Sequence, residues 1–484
     1  MLTAFDNFLN SITMYRLMLY CLMFLVGVAF VLSLLGLLPY SIWSLAGSLA
    51  FLLTVAFVLK LVLAWAYQLP PNFESTLITT MILFFVLIAP TNLNQYFGLA
   101  LGIVVALVSK YTLNWRGAHV FNPAALGALA ASLSGLTVAG WWIATPILLP
   151  FVVLTGVLVL RKTRQFSLFV AFFIPAFCLV TLHGASPSLA LTSYPLIFLG
   201  TIMLTEPATM PSRYRWRLVF GAIVGVVFGA QLSFGFISTS PHLALLIGNL
   251  FAFAVTMRTG QLLHFVKRIQ LSPTTHEFVF EANSKINFKS GQYLAWTLGK
   301  VKFDARGNRR SFTIASSPQE KNLKLGVKFY EPSSQFKKTL LALNPGDSIH
   351  VSALSGDFVL PQDTHKKLLF IAGGIGVTPF RSMIKDLTLA QQKRDIILFY
   401  FASDESEILY KDVWQAAKPY GVKVVPLIGK QFLTQELLQK HASDFAARDF
   451  YLSGPPPMVR AYKKALRSFG VSTRSIHTDY FSGY

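Results

Sequence analysis

The sequence has only two cysteines and few charged residues for a chain of 484 residues. Two thiols exclude a cysteine-ligated iron–sulfur cluster and a four-cysteine zinc site, because each needs four thiolates. They also exclude a disulfide-built secreted domain, and both Cys21 and Cys178 lie in apolar runs. Charged residues make up 13% of the chain and hydrophobic residues 54%, whereas an ordinary soluble domain carries about 25% charged residues. This composition excludes a soluble monomer.

Acidic residues are almost missing from the first half of the chain. Between positions 1 and 260 the acids are Asp6, Glu74 and Glu206, against eleven lysines and arginines. The remaining 224 residues carry 18 acids and 31 bases. The split predicts a membrane domain over residues 1–260, followed by water-soluble domains. Most bases of the first part fall in short loops between apolar runs, so membrane topology explains them and we expect no nucleic-acid partner.

Ten apolar runs of the first part are predicted to be membrane-spanning helices, some of them short enough to be broken or tilted. Lysine and arginine fall in alternate loops between these runs. By the positive-inside rule the basic loops, both termini and the soluble domains are cytoplasmic. We expect an integral membrane protein of the bacterial inner membrane, in contact with the lipid bilayer. The predicted spans are about 17–38, 42–65, 76–91, 96–110, 119–136, 141–160, 166–183, 189–204, 217–236 and 241–258.

Two segments interrupt the apolar pattern with a polar residue before a proline. One covers residues 117–125 and contains Asn122, and the other covers residues 205–212 and contains Glu206 and Thr209. Backbone groups freed at such helix ends bind polar ligands inside membrane proteins. The alternative interpretation is two helix N-caps, each with proline at the first helical position.

These segments resemble signatures of the B and D membrane subunits of the sodium-pumping NADH:quinone reductase and of Rnf complexes. The resemblance covers most of residues 75–235. It implies a ten-helix bundle of two inverted halves that carries flavin, here FMN or riboflavin. Asn122, Glu206 and Thr209 are the corresponding candidate site residues in the membrane half.

The same family attaches FMN to a threonine in a Ser-Gly-Ala-Thr sequence that follows an aspartate. Here residues 134–137 read Ser-Gly-Leu-Thr and fall at a similar place, on the extracytoplasmic side of the predicted topology. They depart from the pattern twice, with Leu136 for the small residue and Ala131 for the acid. Thr137 is a candidate attachment site, and an ordinary loop is the alternative.

A haem-bearing ferric reductase or oxidase is a rival interpretation of the membrane half, and it requires pairs of histidines on facing helices. By the predicted topology His119 and His264 lie towards the cytoplasm, while His183 and His242 lie on the other face. No predicted helix carries two of them. The pattern argues against two stacked haems, and no metal site is predicted.

The second half of the sequence contains two successive patterns of secondary structure. Over residues 261–363 short alternating runs predict a small antiparallel β-barrel. Over residues 364–484 strand and helix patterns alternate, which predicts an α/β domain with a parallel sheet and ligands at the carboxyl ends of its strands. The predicted fold is multidomain: a polytopic α-helical domain, a β-barrel and an α/β domain.

Three motifs lie in order on this scaffold. Residues 310–313, Arg-Ser-Phe-Thr, combine a guanidinium that can hold phosphate with an aromatic ring on the same strand face. Residues 373–379, Gly-Gly-Ile-Gly-Val-Thr-Pro, follow an apolar strand and open a helix, where the backbone can approach a pyrophosphate. Residues 453–458, Ser-Gly-Pro-Pro-Pro-Met, join another strand to a helix and place a small polar side chain at the sheet edge.

Together the motifs resemble the ferredoxin–NADP reductase superfamily over residues 262–484. The resemblance implies an FAD-binding domain at 261–363 and an NAD(P)-binding domain at 364–484. It places Arg310 at the FAD pyrophosphate, Phe312 on the flavin and Thr313 near flavin N5. It also places Ser334 and Lys337 near the FAD phosphates, with a helix cap as the alternative for Ser334. The residues assigned to the nicotinamide nucleotide are Gly374, Gly376, Thr378, Pro379, Gly454, Pro455 and Met458.

The chain departs from that family at Ser453, where most relatives have cysteine beside the nicotinamide. We expect slower or altered hydride transfer from this change. The chain ends Asp-Tyr-Phe-Ser-Gly-Tyr, and the resemblance implies that Tyr480 or Phe481 covers the flavin. Thr313, Ser453 and Asp479 are the catalytic candidates.

Residues 402–407, Ala-Ser-Asp-Glu-Ser-Glu, follow the second strand of the predicted nucleotide domain. NADP-specific relatives often have arginine there, whereas carboxylates bind a ribose and repel a 2′-phosphate. NADH is therefore favoured over NADPH.

The predicted function is a membrane-bound flavoprotein oxidoreductase. It takes hydride from NAD(P)H onto FAD and passes electrons to a membrane flavin, a quinone or a separate redox protein. Two alternatives stay open: a redox-driven ion pump, and a transporter of flavin or another small molecule with a fused reductase.

Overall fold

The computed structural model describes residues 14–67, 73–115, 118–211, 213–234, 237–255, 261–299, 308–331, 333–429 and 431–479. These residues divide into two units, one ending at residue 255 and the other beginning at residue 261. Separate hydrophobic cores lie in each of them. The first is a helical unit and the second, here called the reductase unit, contains two β-sheets.

The helical unit consists of apolar helices joined by short turns. In chain order they are α1 (Met14–Leu34), α2 (Ile42–Ala66), α3 (Phe73–Val86), α4 (Leu93–Thr112), α5 (Pro123–Leu133), α6 (Leu149–Thr163), α7 (Phe166–Leu182), α8 (Pro187–Thr192), α9 (Leu196–Phe198), α10 (Tyr214–Gly229) and α11 (Pro241–Val255). A π-helical turn, Leu199–Met203, continues α9. Within the described residues, three helices, α1, α2 and α4, are long and apolar enough to cross a membrane by length and composition.

Two small hairpins occupy equivalent places in this unit. They are β1 (Asn114–Trp115) with β2 (Ala118–His119), and β3 (Ser233–Phe234) with β4 (Ile237–Ser238). In both, the residue after the second strand donates its N–H to the carbonyl before the first strand, Val120 to Leu113 at 3.0 Å and Thr239 to Leu232 at 2.8 Å. Each hairpin leads into a helix that begins with proline. A helix–hairpin–helix arrangement is thus repeated.

The hairpins also explain two differences from the predicted spans. The fifth helix begins at Pro123 rather than near residue 119, because residues 118–119 are a hairpin strand. The ninth predicted span ends at Gly229 rather than near residue 236, because the second hairpin follows it.

Glycines let the helices of this unit approach closely. α4 packs against α5, and a Cβ added at Gly102 would lie 3.3 Å from the Gly127 carbonyl oxygen. α7 packs against α10, where a Cβ at Gly225 would overlap the Phe172 carbonyl oxygen. Small residues at such crossings are how helices pack when both surfaces are apolar.

The reductase unit begins with a six-stranded antiparallel sheet in the order β8-β7-β10-β5-β6-β9. Its strands are β5 (Gln261–Ser272), β6 (Thr275–Ala282), β7 (Tyr293–Thr297), β8 (Arg309–Thr313), β9 (Leu323–Lys328) and β10 (Ser348–Ser355), with helix α12 (Gln335–Leu341) between β9 and β10. Phe278, Phe280 and Trp296 are fully buried in its core. Side chains alternate along a strand, and on the opposite face Glu277, Val279 and Ala295 are buried as well.

A five-stranded parallel sheet follows, in the order β13-β12-β11-β14-β15. The elements are β11 (Leu368–Gly373), α13 (Thr378–Leu389), β12 (Ile396–Ala402), α14 (Lys411–Ala417), β13 (Val422–Ile428), α15 (Gln435–His441), β14 (Asp449–Ser453), α16 (Pro456–Ser468) and β15 (Ile476–Thr478). Every residue of β11 and β12 is buried, as in parallel sheets covered on both faces. The carboxyl ends of these strands meet at one edge, which positions the loops described next.

Candidate functional site

One cleft in the reductase unit collects residues from both sheets. It has a volume of about 680 Å³. Phe312 and Thr313 of β8 line one wall together with Lys337, and the loops after β11 and β14 line the other. Parallel α/β sheets bind ligands at the carboxyl ends of their strands, so the cleft lies where a nucleotide is expected.

The antiparallel sheet positions the first motif. β8 is paired to β7, with Phe312 opposite Leu294 and Arg310 opposite Trp296. The Arg310 guanidinium lies 5.4 Å from the centre of the Phe336 ring, and the Phe312 and Phe336 rings are 5.8 Å apart. Arg310 is on the same strand but is not among the residues that line the cleft.

Helix α12 positions Ser334 and Lys337. Ser334 is the N-cap of this helix, and its hydroxyl accepts a hydrogen bond from the Lys337 N–H at 3.4 Å. The Lys337 ammonium donates to the Lys328 carbonyl oxygen and lies 5.2 Å from the Tyr330 ring centre. The structure therefore gives Ser334 the helix-cap role that the sequence left open, and it puts the Lys337 charge in the cleft wall.

The second motif forms the turn between β11 and α13. Gly374 has a positive φ of 53°, and Thr378 donates its hydroxyl to the Ile375 carbonyl oxygen at 3.2 Å. A Cβ added at Gly376 would lie 2.6 Å from the Gly454 nitrogen. Gly376 therefore lets the two glycine loops meet closely, whereas a Cβ added at Gly374 would meet nothing within 4 Å, so a ligand can approach the bare backbone there. Pro379 lies one residue inside α13, where its missing N–H is not needed.

The third motif ends β14 and brings Ser453 to Asp479. β15 pairs with β14, and the Ser453 hydroxyl donates to Asp479 Oδ2 at 3.1 Å. Burial raises the pKa of the Asp479 carboxyl to about 7, although the Ser453 hydrogen bond acts in the opposite direction. Both residues line the cleft, with Gly454, Pro455 and Met458 beside them. Tyr480 and Phe481 lie outside the described residues.

Two acidic side chains of the loop after β12, Asp404 and Glu407, make different contacts. Asp404 caps a short turn, because its Oδ1 accepts from the Ser406 N–H at 2.9 Å. Glu407 lines the cleft, but its carboxylate is bonded to the antiparallel sheet through Lys328 Nζ at 2.7 Å. The sequence pattern suggested these carboxylates only as ribose ligands and did not reveal the contact between the domains.

The helical unit joins the predicted residues Asn122, Glu206 and Thr209 in one buried network. Asn122 Nδ2 donates to Glu206 Oε2 at 2.7 Å, and the Thr209 hydroxyl donates to the same oxygen at 3.4 Å. Asn249 completes it, accepting from the Asn122 N–H at 2.8 Å and donating to the Thr209 carbonyl at 3.3 Å. Asn249 was not predicted, although a lone amide inside the apolar helix α11 was the available signal.

Two further features of this unit bear on the predicted membrane site. Asn122 is also the N-cap of α5, since its Oδ1 accepts from the Ala125 N–H at 3.0 Å. The N-cap interpretation of Asn122 is therefore confirmed, and its role in a ligand site stays a prediction. Thr137 is buried, and its hydroxyl has no hydrogen-bond partner among the described residues. Its Cγ2 would lie 2.7 Å from a Cβ added at Gly98.

The comparisons with known proteins concern the reductase unit. Residues 262–360 match the family model of the oxidoreductase FAD-binding domain, and residues 370–464 match that of the oxidoreductase NAD-binding domain. The C-terminal part of this chain belongs to the ferredoxin–NADP reductase superfamily. The reductase unit is thus an FAD-dependent NAD(P)H oxidoreductase module, as its motifs predict.

Relatives of this reductase module have diverse names. The Halalkalibacterium halodurans flavohemoprotein is 25% identical over 222 residues, covering 40% of this chain and 52% of that protein. The phenol hydroxylase P5 protein of Acinetobacter pittii is 27% identical over 225 residues, covering 44% and 62%. The F subunit of the Na(+)-translocating NADH-quinone reductase of Actinobacillus pleuropneumoniae is 28% identical over 200 residues, covering 36% and 49%.

The chain spans between about half and three fifths of the length of these relatives. Among solved structures, a ferredoxin-NADP+ reductase from Plasmodium falciparum aligns at 19% identity and a TM-score of 0.40, covering 46% of this chain and 96% of its own.

Proposed function

We propose that the protein is a membrane-bound oxidoreductase. It takes hydride from NADH onto FAD in a cytoplasmic reductase unit and passes electrons to a flavin of the helical unit, to a quinone or to a redox protein. The ten membrane spans and the closure of the antiparallel sheet into a barrel are parts of the same proposal. The observation that carries it is the convergence of all three motifs on the same cleft.

The residues on the antiparallel-sheet side suit FAD. The cleft wall offers an aromatic ring at Phe312, a hydroxyl at Thr313 and a cationic side chain at Lys337. Arg310, on the same strand, supplies a guanidinium for the pyrophosphate. When bound, FAD supplies the ring that accepts hydride; the protein orients that ring and shields it from water.

The parallel-sheet side suits a nicotinamide nucleotide. Gly374, Gly376 and Thr378 hold its pyrophosphate at the start of α13, where the helix N-terminus favours negative charge. Gly454, Pro455 and Met458 shape the pocket of the nicotinamide ring. Pro379 fixes the first turn of α13.

Ser453 and Asp479 act as a hydrogen-bonded pair beside the nicotinamide. The carboxyl of Asp479 is held partly protonated near neutral pH, because burial raises its pKa to about 7. Ser453 orients that carboxyl and replaces the thiol that the family usually places there. Tyr480 or Phe481 covers the flavin in this proposal.

NADH is the proposed coenzyme rather than NADPH. Asp404 and Glu405 follow the cleft-lining Ser403 in the loop after β12, and the described part of this loop carries no arginine. A fixed negative charge there repels the additional phosphate of NADPH.

The network of Asn122, Glu206, Thr209 and Asn249 is the proposed polar site of the helical unit. FMN or riboflavin is its proposed ligand, and Thr137 is a separate candidate for covalent FMN. The similarity to the F subunit of a Na(+)-translocating NADH-quinone reductase supports this assignment, because the helical unit resembles other membrane subunits of the same complexes. The same buried carboxylate also supports a second candidate function, a redox-driven ion pump or a small-molecule transporter.

Cofactor content per chain and NADH oxidation test the proposal on full-length protein purified in detergent. We expect FAD, bleaching of its absorbance by NADH, and weaker bleaching by NADPH. We expect the Kd for FAD to rise about 10- to 100-fold in the Arg310→Ala variant, because the loss of one charge-assisted hydrogen bond to phosphate costs about that much affinity. An Arg310→Ala protein that keeps FAD with wild-type affinity would refute the site assignment.

A second flavin per chain would support the helical site, and flavin fluorescence in acid-precipitated protein would support attachment at Thr137. Assays in sealed vesicles distinguish the other two candidate functions, the ion pump and the transporter. Ion flux on addition of NADH indicates a pump, whereas uptake of labelled flavin without NADH indicates a transporter.

A further inference from the structure

Helix α13 is bonded along its length to the loop that follows β8. The Arg381 guanidinium donates to the Ala315 carbonyl oxygen at 2.9 Å and makes a two-pronged ion pair with Glu320, whose second bond is 3.0 Å. One residue on, the Ser382 hydroxyl donates to the Ser316 carbonyl oxygen at 2.6 Å. The Arg381 side chain is only 4% exposed, so this contact between the domains is shielded from water.

This contact joins the two cofactor motifs by a very short path. Ala315 lies two residues after Thr313, the last residue of the flavin motif. Arg381 lies three residues after Thr378, the last cleft-lining residue of the nucleotide motif. A shift of α13 against the loop would therefore change the spacing between the two halves of the cleft directly.

Two carboxylates extend the same contact. Asp386, also on α13, accepts from the Ser290 hydroxyl at 2.7 Å and from the Ser317 hydroxyl at 2.8 Å. Glu407, after β12, accepts from the Thr274 hydroxyl at 2.8 Å and from Lys328. The nucleotide domain is thus tied to the antiparallel sheet at three points.

Tyr410 is held in a rare conformation beside this contact. Its φ is 59°, an uncommon value for a bulky residue, and its side chain is buried. The Arg381 guanidinium lies 5.6 Å from its ring centre, and a Cβ added at Gly326 of β9 would lie 3.0 Å from its hydroxyl. Backbone strain persists where the surroundings enforce it, and here it places a ring of one domain against a strand of the other.

A buried ion pair is an inefficient way to hold two domains together. Removing both charges from water costs much of what their attraction returns, and apolar contacts of similar size bind as well. A two-pronged pair does constrain angle and distance, because the guanidinium and carboxylate planes must match. Hydride transfer needs such constraint, since a misplacement of about 1 Å costs a factor of about 100 in rate.

We propose that Arg381 is a positioning residue for hydride transfer, which sets the distance between nicotinamide and flavin by fixing α13 to residues 315–320. It binds neither cofactor. This inference rests on the proposed function of the same cleft, and it assigns Glu320 as the partner through which Arg381 acts.

Arg448 offers a matched control within the nucleotide domain. Its side chain is 6% exposed and also makes a two-pronged ion pair, with Asp395 at 2.7 and 3.0 Å. Asp395, Asp444 and the Leu368 carbonyl oxygen, to which Arg448 donates, all lie in the parallel-sheet domain. Losing Arg448 removes an equally buried arginine with a two-pronged ion pair, although Asp395 is 45% exposed, and it leaves the other domain untouched.

The experiment compares Arg381→Met, Arg381→Lys, Glu320→Gln and Arg448→Met in the full-length protein. FAD content, the Kd for NADH and the single-turnover rate of flavin bleaching are measured for each. We expect Arg381→Met to keep FAD and to bind NADH within about threefold, while the bleaching rate falls about 10- to 100-fold. Glu320→Gln should show a fall of the same kind, Arg381→Lys a smaller one, and Arg448→Met a wild-type rate.

A wild-type bleaching rate in FAD-loaded Arg381→Met overturns the inference. So does an equal fall in Arg448→Met, or a loss of FAD binding that accounts for the slower rate. If Arg381→Met yields no FAD-loaded protein, Arg381→Lys and Glu320→Gln decide by the same criteria. Wild-type protein that binds FAD but is not bleached by NADH or NADPH refutes the proposed function itself, independently of any variant.

Discussion

The helical unit and the reductase unit differ in how charged side chains contribute to their packing. In the described part of the helical unit the acids are Glu74 and Glu206, and helices meet through glycines. In the reductase unit, buried arginines are paired repeatedly with carboxylates, as at Arg381 and Arg448. A buried carboxylate is therefore conspicuous in the first unit and ordinary in the second. We accordingly propose a ligand site for the carboxylate of Glu206 in the first unit and a role in orienting the domains for that of Glu320 in the second.

The largest effect is expected where helix packing depends on a missing side chain. In Gly127→Val the new Cβ would overlap the Gly102 carbonyl oxygen and lie 2.9 Å from Ala106 Cβ, so α4 and α5 must separate. We expect the helical unit to lose about 3 kcal/mol or to misfold, with FAD still bound to the reductase unit. Thermal unfolding in detergent, read separately by helical circular dichroism and by flavin release, measures both.

Gly27→Val is the matched control, because Gly27 also lies in a helix but no described atom lies within 4 Å of its added Cβ. Equal destabilisation by the two substitutions would show that the close approach of α4 and α5 does not hold this unit together.

The second expected effect is a loss of stability of the reductase unit at acid pH. Burial alone would raise the pKa of Glu320, but the hydrogen bonds and charge of Arg381 outweigh it and lower the pKa to about 2. This pair stabilises the folded state above the unfolded pKa of about 4.5, and its contribution of about 3 kcal/mol is lost as pH falls towards 2. We expect flavin release on unfolding to need less denaturant as pH drops through this window.

Glu320→Gln removes the titrating group and should flatten that pH dependence. If the variant and the wild type lose stability in parallel between pH 5 and pH 2, other carboxylates carry the acid sensitivity.

The third effect is centred on neutral pH. The Asp479 pKa is about 7 in the folded protein, above its unfolded value of about 3.9. The folded state therefore keeps a proton that the unfolded state releases, and Asp479 makes stability decline as pH rises from about 4 to 7. We also expect a step near pH 7 in the rate of flavin bleaching, and Asp479→Asn should remove both this step and the decline in stability. A step near pH 7 that persists in the variant would assign it to another group.

The smallest effect concerns coenzyme choice. Asp404 is exposed, and an exposed charge acts weakly through water. We expect Asp404→Ser to reduce the preference for NADH over NADPH about two- to fivefold, measured as the ratio of kcat/KM values. Asp412→Ser is the control, because Asp412 is likewise exposed but lies on α14, whereas Asp404 follows the cleft-lining Ser403 directly. Equal changes in the two variants would indicate a general charge effect on the nucleotide.

The parts of the reductase unit that were predictable are those with a strong local pattern. The apolar strands β11 and β12, the glycine turn after β11 and the strand of Arg310 are recognisable because burial on both faces or a motif marks them. β10 also alternates polar and apolar residues, from Ser348 to Ser352, so its strand conformation follows from the same kind of pattern. Its place between β5 and β7 was not predictable, because sequence periodicity does not record pairing.

Contacts between residues that lie far apart in the sequence were also not predicted. Nothing local in Arg381 or Glu407 distinguishes them from solvated surface charges, because their partners lie 61 and up to 135 positions away. Asn122 and Glu206 were identified as candidates because each precedes a proline. Their hydrogen bond joins residues 84 positions apart, so it could be seen only in the folded structure.

The repeated helix–hairpin–helix arrangement makes the helical unit comparable to a dimer fused into one chain. In a symmetric dimer of separate subunits every substitution occurs twice, so a site on the axis must be the same from both sides. Here the two copies differ: Asn122 caps the helix after the first hairpin, and Ser240 stands at that place after the second. α5 packs against α11, and the bond from Asn122 to Asn249 crosses between the copies. A repeat within one chain thus allows an asymmetric polar network at the junction of two similar halves.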